Sequence, residues 1–507
     1  MGTENDRVIR LSSLIIFFGV VALFLLLWAK MQLGQIRYFD ADELAYLHWA
    51  HNVFDGKLPY RDFLSYVPPL FYAVLSVLFT VVEGVGILSG ARFFSFFIFV
   101  LLCACLVWLF SRARTATYAV YAAVFLAFLP MPADKLIEVR PDTMAMLVAL
   151  VAMVLHGIAL TGSRRTSLWA VSGFLYGVSV LILPKTVPQV AVAGLVTVLW
   201  RLFAPGDAKG KNRLLSAFLF GGIIPFICFG IWVLFRLGVN SVDTVIYSLV
   251  RLPLEVNRLG IQFPLQPDLF FYPNTVLYGQ EGWGAGLIVT HILWIIGIGT
   301  ASMRLVTPFI PGGKKEAYRE LLIAGSFFAY VVTFIYGYPM RHSQYLIPIA
   351  VFVAFYTADF LSIVMSRLNT SRLGRIVGIV FLFGMLIGAV HLTRQTTGVK
   401  MGYTNAEDYA VLSYALRTIP KNAYVFDLVG STIYFRDPFY VSAVPFGQWM
   451  PYVTRPFGSV VTALETTNTR YIYEGRLARV ESLPAATTAH IRRLYAPVPG
   501  IPGMLRQ

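Results

Sequence analysis

Long apolar runs separated by short polar connections dominate this chain. A membrane-spanning helix needs about 20 mostly apolar residues. Runs of that kind occupy 11–31, 67–88, 91–110, 116–131, 141–160, 168–184, 187–203, 215–237, 284–303, 318–338, 343–366 and 374–393. The loop charges test how many of them cross. "SRART" (111–115), "TGSRRTS" (161–167), "RLFAPGDAKGKNR" (201–213), "RLVTPFIPGGKKEAYR" (304–319) and "SRLNTSRLGR" (366–375) are basic connections, which belong in the cytoplasm. If every run crosses from a cytoplasmic N-terminus, the first four of these loops fall outside. If 67–88 does not complete a crossing, all five fall inside. The second count, about eleven spans, is the one adopted. It makes "VPPLFYAVLSVLFTVVEG" a juxtamembrane or re-entrant helix that starts at Pro68 and Pro69.

The pattern changes after 394. "NAEDYAVLSYALRTIP" repeats near the helical period, "AYVFDLV" reads as a strand, a helix follows near 458–467, and "RYIYEG" reads as a second strand. The expected fold class is a polytopic α-helical membrane protein with a small C-terminal α/β extracytoplasmic domain. Its two parts are a transmembrane catalytic domain over 1–393, with outer loops 32–90 and 238–283, and an α/β domain over 394–507.

Composition sharpens this in one direction. Of 507 residues, 57% are hydrophobic and 13% charged, against about 25% charged in ordinary globular proteins, and mean hydropathy is +0.68. The net charge of +15 sits mostly in loops that meet lipid headgroups, so nucleic acid is not an expected partner. Cys103, Cys105 and Cys228 lie inside apolar runs and signal neither a disulfide nor a thiol metal site. Arg7 and Arg10 precede an apolar run too long for a signal-peptide core, which is read as a retained anchor. There is no phosphate-binding G-x-x-x-x-G-K-[ST] loop.

The remaining connections carry ionisable residues that topology does not explain. Asp40, Asp42, Glu43, Arg92, Glu138, Arg140, Asp142, Lys185, Arg341 and His342 all fall on one expected face, and charges at such depth are functional candidates. Asp40 and Glu43 fit a capping box for a helix running to Asn52. Asp42 is not needed for that box and is placed to deprotonate an acceptor hydroxyl. Tyr46 and Arg61 in the same stretch join the substrate-binding candidates. His48 and His51 share a helix face; interfacial packing accounts for them, and their spacing is not that of a zinc site. A divalent cation such as Mg or Mn is left open as a cofactor. The cations suit a phosphate, whose oxygens Arg and Lys neutralise.

In order along the chain stand "DADELAYLHWAHNVFDGKLPYRDF", "PPLFY", "ARFFS", "RPD" and "RHSQYLIP". This series resembles the GT-C membrane glycosyltransferases, nearest to the dolichyl-phosphate-mannose protein mannosyltransferases and the lipid A aminoarabinose transferases. The resemblance covers roughly 10–200 and 335–360. It implies an inverting transfer of a sugar from a polyprenyl phosphate to a glycan, lipid or protein acceptor, outside a prokaryotic inner membrane. It also implies that Asp42 is the catalytic base with Glu43 assisting, and it matches Arg92 to a family arginine. Assigning Lys185 and Arg341 to the lipid phosphate rests on their chemistry. The extra Asp40 leaves open which aspartate acts. A transporter or flippase of lipid-linked sugars and a non-catalytic scaffold are the rival readings. Charge clustering at one face, with no comparable inward set, weighs against the transporter.

Overall fold

The computed structural model describes residues 2–130, 132, 135–163, 165–256, 284–306, 314–338, 343–443, 453–475 and 478–507. The long helix α1 (Gly2–Ile36) is followed by two short ones, α2 (Ala41–Phe54) and α3 (Leu70–Ser76), then by α4 (Gly86–Ala113), α5 (Ala119–Phe128), α6 (Pro141–Leu160), α7 (Thr166–Ile182), α8 (Val187–Phe203) and α9 (Ala208–Trp232). The helices Gly284–Val306, Lys314–Val332, Ile347–Leu368 and Arg372–Met401 complete the bundle. Among the described residues, nine helices are long and apolar enough to cross a membrane. Ala116–Phe128 and Thr166–Ile182 are apolar but shorter. The run at 67–88 folds as Leu70–Thr80, about 16 Å of helix, which is about half the hydrocarbon thickness. It cannot cross alone.

Lipid tails are as apolar as leucine, so these helices associate through close packing rather than hydrophobic exclusion. Ile347–Leu368 sits at the centre, with every side chain from Ile347 to Tyr356 buried. Contact between α7 and α9 depends on missing side chains. A Cβ on Gly173 would lie 2.0 Å from the Phe218 carbonyl oxygen, and one on Gly177 would lie 2.5 Å from the Gly222 carbonyl oxygen.

The C-terminal residues form a four-stranded sheet of order β1-β2-β4-β3, from Val425–Asp427, Tyr471–Tyr473, Ala496–Pro497 and Met504–Arg506. β1 and β2 run parallel with Val425 opposite Tyr471; β2–β4 and β3–β4 are antiparallel. Phe426, Ile472 and Leu505 fill one side of the sheet and Val425 and Tyr471 the other, with Ala415 and Ile419 from helix Ala406–Thr418. The expected helices and strands are present as Ala406–Thr418, β1, Val460–Thr466 and β2; β3, β4 and helix Ala485–Leu494 were not anticipated. The last bundle helix runs past 394 to Met401.

This unit grips the junction between α1 and α2. The Tyr38 amide donates to the Tyr403 carbonyl at 2.9 Å, the Asn405 amide to the Ile36 carbonyl at 2.9 Å, and the Phe39 amide to Asp408 at 2.9 Å.

Candidate functional site

The site begins where α1 stops. Asp40 takes extended backbone angles and caps α2 by accepting from the Asp42 amide at 3.0 Å, while Glu43 Oε1 accepts from the Asp40 amide at 3.0 Å. The capping box is therefore formed as read from the sequence. It also fixes where the three carboxylates point.

Glu43 points inward and is fully buried. Oε1 also accepts from Arg92 Nη2 at 2.6 Å, and Oε2 accepts from the Val139 amide at 2.8 Å. Arg92, 1% exposed, donates through Nη1 to the Gly34 carbonyl and through Nη2 to the Tyr38 carbonyl, and lies 4.2 Å over the Phe39 ring. The expectation that Arg92 meets lipid or phosphate is corrected: α4 turns it into the protein, where it holds α1, α2 and the 135–140 segment together through Glu43.

A second layer surrounds Glu138, which is also fully buried. Arg37 Nη1 donates to it, Lys135 Nζ reaches its two oxygens at 2.8 and 3.0 Å, and Arg140 Nη1 approaches at 3.4 Å. Lys135 also donates to Asp40 at 3.0 Å. Burial alone would raise the Asp40 carboxyl, but Lys135 and Arg140 outweigh it and hold the group well below the usual carboxylate range. Burial would likewise lower Lys135, and Asp40 and Glu138 reverse that shift. Both groups are thus charged across the physiological range.

The third layer includes the partly exposed Asp42 and Lys185. Arg140 precedes Pro141 at the start of α6. Its Nη2 donates to Asp42 Oδ2 and its Nε lies 3.8 Å from Asp142. Lys185, in the one-turn link between α7 and α8, donates to Asp142 at 2.7 Å and sits 3.9 Å over the Tyr345 ring. The side chains of Asp40, Asp42 and Lys185 are 27, 25 and 20% exposed, and those of the other charged members 5% or less. Asp42 Oδ1 has no hydrogen-bond donor among the described residues. Tyr46, buried, and Tyr66, half-buried, stand around the same carboxylate, whose charge raises both phenols further after burial itself.

Arg61 is not brought here; it is half exposed beyond α2 and pairs with Asp62 at 2.8 Å. Arg341 and His342, and most of the loop 238–283, lie outside the described residues. His48 and His51 turn away from Asp42. His48 bonds the Ile433 carbonyl at 3.0 Å and Asp437 at 2.8 Å, and His51 packs against Phe79 and Tyr434. Sequence reasoning missed Arg37 and Lys135. Lys135 had a signal, standing three residues before Glu138 in a loop already singled out. The His48–Asp437 pairing had none, being 389 residues apart.

The donor set does not suit a divalent cation. Asp40, Asp42, Glu43, Glu138 and Asp142 are all within ion-pair reach of Arg92, Lys135, Arg140, Lys185 or Arg37, and among the described residues no group of three or more His, Cys, Asp or Glu side chains converges as a metal cage. No step below runs through a metal.

A separate charged cluster lies at the other end of the bundle. Arg114 joins Asp359 at 2.8 Å and Glu320 at 2.7 Å, and Arg304 joins Asp359 at 2.7 Å. Arg92 and Arg114 stand 22 residues apart on α4, about 33 Å. The sequence reading of no comparable inward set is corrected by this cluster, although its two arginines are matched by two carboxylates.

No protein-family model and no curated protein matches the chain. Solved structures do. The archaeal oligosaccharyltransferase AglB from Archaeoglobus fulgidus, in complex with an inhibitory peptide and a dolichol-phosphate, superposes with TM-score 0.56 at 12% identity over 93% of this chain and 72% of that one. The same enzyme tethered to an acceptor peptide gives 0.52 at 13% identity over 93% and 72%. ArnT from Cupriavidus metallidurans, bound to undecaprenyl phosphate, gives 0.54 at 14% identity over 84% and 85%. The fold is that of the GT-C membrane glycosyltransferases, as the sequence motifs suggested.

Proposed function

We propose that this chain is an inverting glycosyltransferase that moves a sugar from a polyprenyl-phosphate donor to an acceptor hydroxyl on the non-cytoplasmic face of the membrane. The observation that carries the reading is Asp42: in a GT-C fold, at a helix start and a quarter exposed, it has one oxygen held by Arg140 and the other without a hydrogen-bond donor among the described residues. A base must reach the proton it removes and be held in place while it does so, and this arrangement offers both.

The chemistry follows from those two oxygens. As the acceptor oxygen bonds to the anomeric carbon, its proton passes to Asp42 Oδ1. The bond between that carbon and the phosphate oxygen breaks on the opposite face, and its electron pair leaves on the phosphate. Lys185, the exposed cation of the cluster, is placed to offset that charge as it develops. Glu43 takes no proton; it is a positioning residue that fixes the start of α2 through Arg92 and Val139. Asp40 serves as cap and as partner to Lys135.

A lipid donor also needs an apolar path. A groove of about 490 Å³ runs between α2, α3, α7 and α9, lined among others by Leu70, Val178, Leu181, Phe229 and Trp232, with Lys57 and Arg236. Leu181 stands four residues before Lys185, at the end of α7, so an isoprenyl tail in this groove would bring its phosphate toward Lys185. The loop charges put the basic connections, and with them the Arg114 cluster, in the cytoplasm and the cleft outside. The C-terminal unit, which follows Met401 and packs its Gly430 loop on α2, then lies on the outer side.

The test is single turnover with purified protein, a panel of polyprenyl-phosphate sugars and acceptors. Asp42→Asn should lose transfer by about 10²-fold or more while binding undecaprenyl phosphate as the wild type does. Normal turnover by that variant would remove Asp42 as the base.

A further inference from the structure

Every cation at the cleft named so far already has a carboxylate. Arg37, Arg92, Lys135, Arg140 and Lys185 are each within ion-pair distance of one. A phosphate arriving there would therefore compete with Asp142 for Lys185 and find no cation in reserve among them. One basic side chain beside the cleft is differently placed, and it comes from the C-terminal unit.

Two contacts fix its position. The loop after β1 lies directly on the first turns of α2: Gly430, at φ +96°, is so close that a Cβ would fall 2.9 Å from the Cα and N of Ala45 and from the carbonyl carbon of Leu44. Ala443 packs against the same Ala45. Asp427 ties this loop down by accepting from the Val429, Gly430 and Thr432 amides at 2.8, 2.7 and 2.6 Å. Arg479 then donates through Nη1 to the Leu428 carbonyl at 3.2 Å, at the base of that loop. The turn that presents it is tight, with Ala478 in the left-handed region at φ 45° and the Arg479 amide donating to the Glu474 carbonyl at 3.1 Å.

Arg479 is half-buried. Among the described residues it has no carboxylate within ion-pair distance, although Asp42 and Asp40 are the charges that act on it most strongly. Asp42 also acts on Lys185. Two cations thus stand within electrostatic range of the same carboxylate, one from the bundle and one from the C-terminal unit.

We propose that Arg479 is a binding residue for a phosphate oxyanion at the Asp42 cleft, so that the C-terminal unit supplies part of the substrate site. A planar guanidinium with four N–H groups still available suits tetrahedral oxyanions. The inference rests on the glycosyltransferase reading for the nature of its ligand. The phosphate is that of a polyprenyl lipid or a free one, and the experiment separates the two.

Full-length wild type, Arg479→Gln and Arg479→Lys are placed in nanodiscs, and undecaprenyl phosphate binding is titrated by Trp fluorescence, with inorganic phosphate as competitor. Trp49 packs edge-on to Tyr46 and Tyr66 beside the cleft and supplies the signal. R479Q should bind the lipid about tenfold more weakly, R479K should recover much of the loss, and the thermal midpoint should not move, since no ion pair is broken. Loss of inorganic phosphate competition with lipid affinity intact would support the site and assign it to a free phosphate. Unchanged affinity for both ligands in R479Q would overturn the proposal. Wild type that binds no undecaprenyl phosphate would instead strike the polyprenyl-donor reading, leaving the inorganic phosphate arm to judge Arg479.

Discussion

The adjacent carboxylates Asp42 and Glu43 should fail in different ways when each is made an amide. Glu43 is fully buried and accepts three hydrogen bonds, one from a guanidinium that is itself 1% exposed. In Glu43→Gln the new NH2 must face either the Val139 amide or the Arg92 and Asp40 donors, so at least one donor is left opposite another donor. Arg92 also keeps its charge with no counter-charge against it. Hydrogen bonds to charged groups contribute about 1.5–3 kcal/mol, and breaking one side of a buried pair costs about 3–5 kcal/mol, so the loss should approach the latter figure. Asp42 is a quarter exposed and meets Arg140 at one oxygen only. Asparagine can keep an oxygen there, and solvent screens what is lost, so Asp42→Asn should cost about 1 kcal/mol or less.

The assay is thermal unfolding of detergent-purified protein by intrinsic fluorescence at one fixed scan rate, because membrane proteins commonly unfold irreversibly. It is run beside single-turnover transfer. Glu43→Gln should melt several degrees below Asp42→Asn and still turn over at temperatures where it is folded. Asp42→Asn should melt close to wild type and be inactive. A Glu43→Gln protein as stable as wild type but as inactive as Asp42→Asn would refute the division of roles, and would make Glu43 a chemical participant.

Other expectations follow from the same structure. Gly430→Ala forces a left-handed alanine, costing about 1–2 kcal/mol, and drives its Cβ into the backbone of α2; limited proteolysis should cut the 402–424 connection faster than in wild type, and an unchanged rate would mean the loop is not docked on α2. The clasp between His48 and Asp437 should depend on pH. Burial lowers His48, but Asp437 more than restores it and leaves the ring above its ordinary value; Asp437 falls below its own because His48 offsets the effect of burial. The His48 contribution is therefore complete below about pH 6.5 and lost as pH rises through the folded value, while that of Asp437 is lost only in strong acid. The melting gap between wild type and His48→Gln should be widest below about pH 6.5 and narrow as pH rises above it; a gap that grows with pH would contradict the charged pair. Lys185→Gln should slow transfer by about 10²-fold by removing charge from the leaving phosphate, read as a fall in kcat larger than any rise in KM.

Hydropathy and loop charge made the bundle legible because a bilayer admits few architectures. The run at 67–88 was assigned as non-crossing by charge alone, and it forms a helix of about half the required length. The capping box was legible because its members are three residues apart. What could not be read is the set of contacts that join distant segments: Arg92 with Glu43 across 49 residues, Arg37 with Glu138 across 101, His48 with Asp437 across 389. Composition cannot tell a cation turned toward a ligand from one turned into the protein, so Arg92 was grouped with the phosphate-binding candidates. The strands β3 and β4 escaped because they are two and three residues long and lie among prolines and glycines.

These charged residues are best understood by how far each is from water. A buried ion costs several kcal/mol unless it is paired, and the inner layers meet that condition by bonding Glu43 and Glu138 to Arg92, Arg37, Lys135 and backbone amides. Such groups are held by several partners each and keep them during a reaction, although burial raises the Glu43 carboxyl above its ordinary value. Substitutions among them should therefore appear as folding defects. Asp42 and Lys185 keep partial exposure and few partners, Arg140 for the one and Asp142 for the other, which suits a group that must take a proton or exchange one anion for another. The layer proposed to perform chemistry is thus the one expected to matter least for stability, while the buried layer fixes the helix start from which Asp42 projects. On this argument, kinetic phenotypes without a shift in melting temperature should be confined to Asp42, Lys185 and Arg479, the charged side chains that still face the cleft.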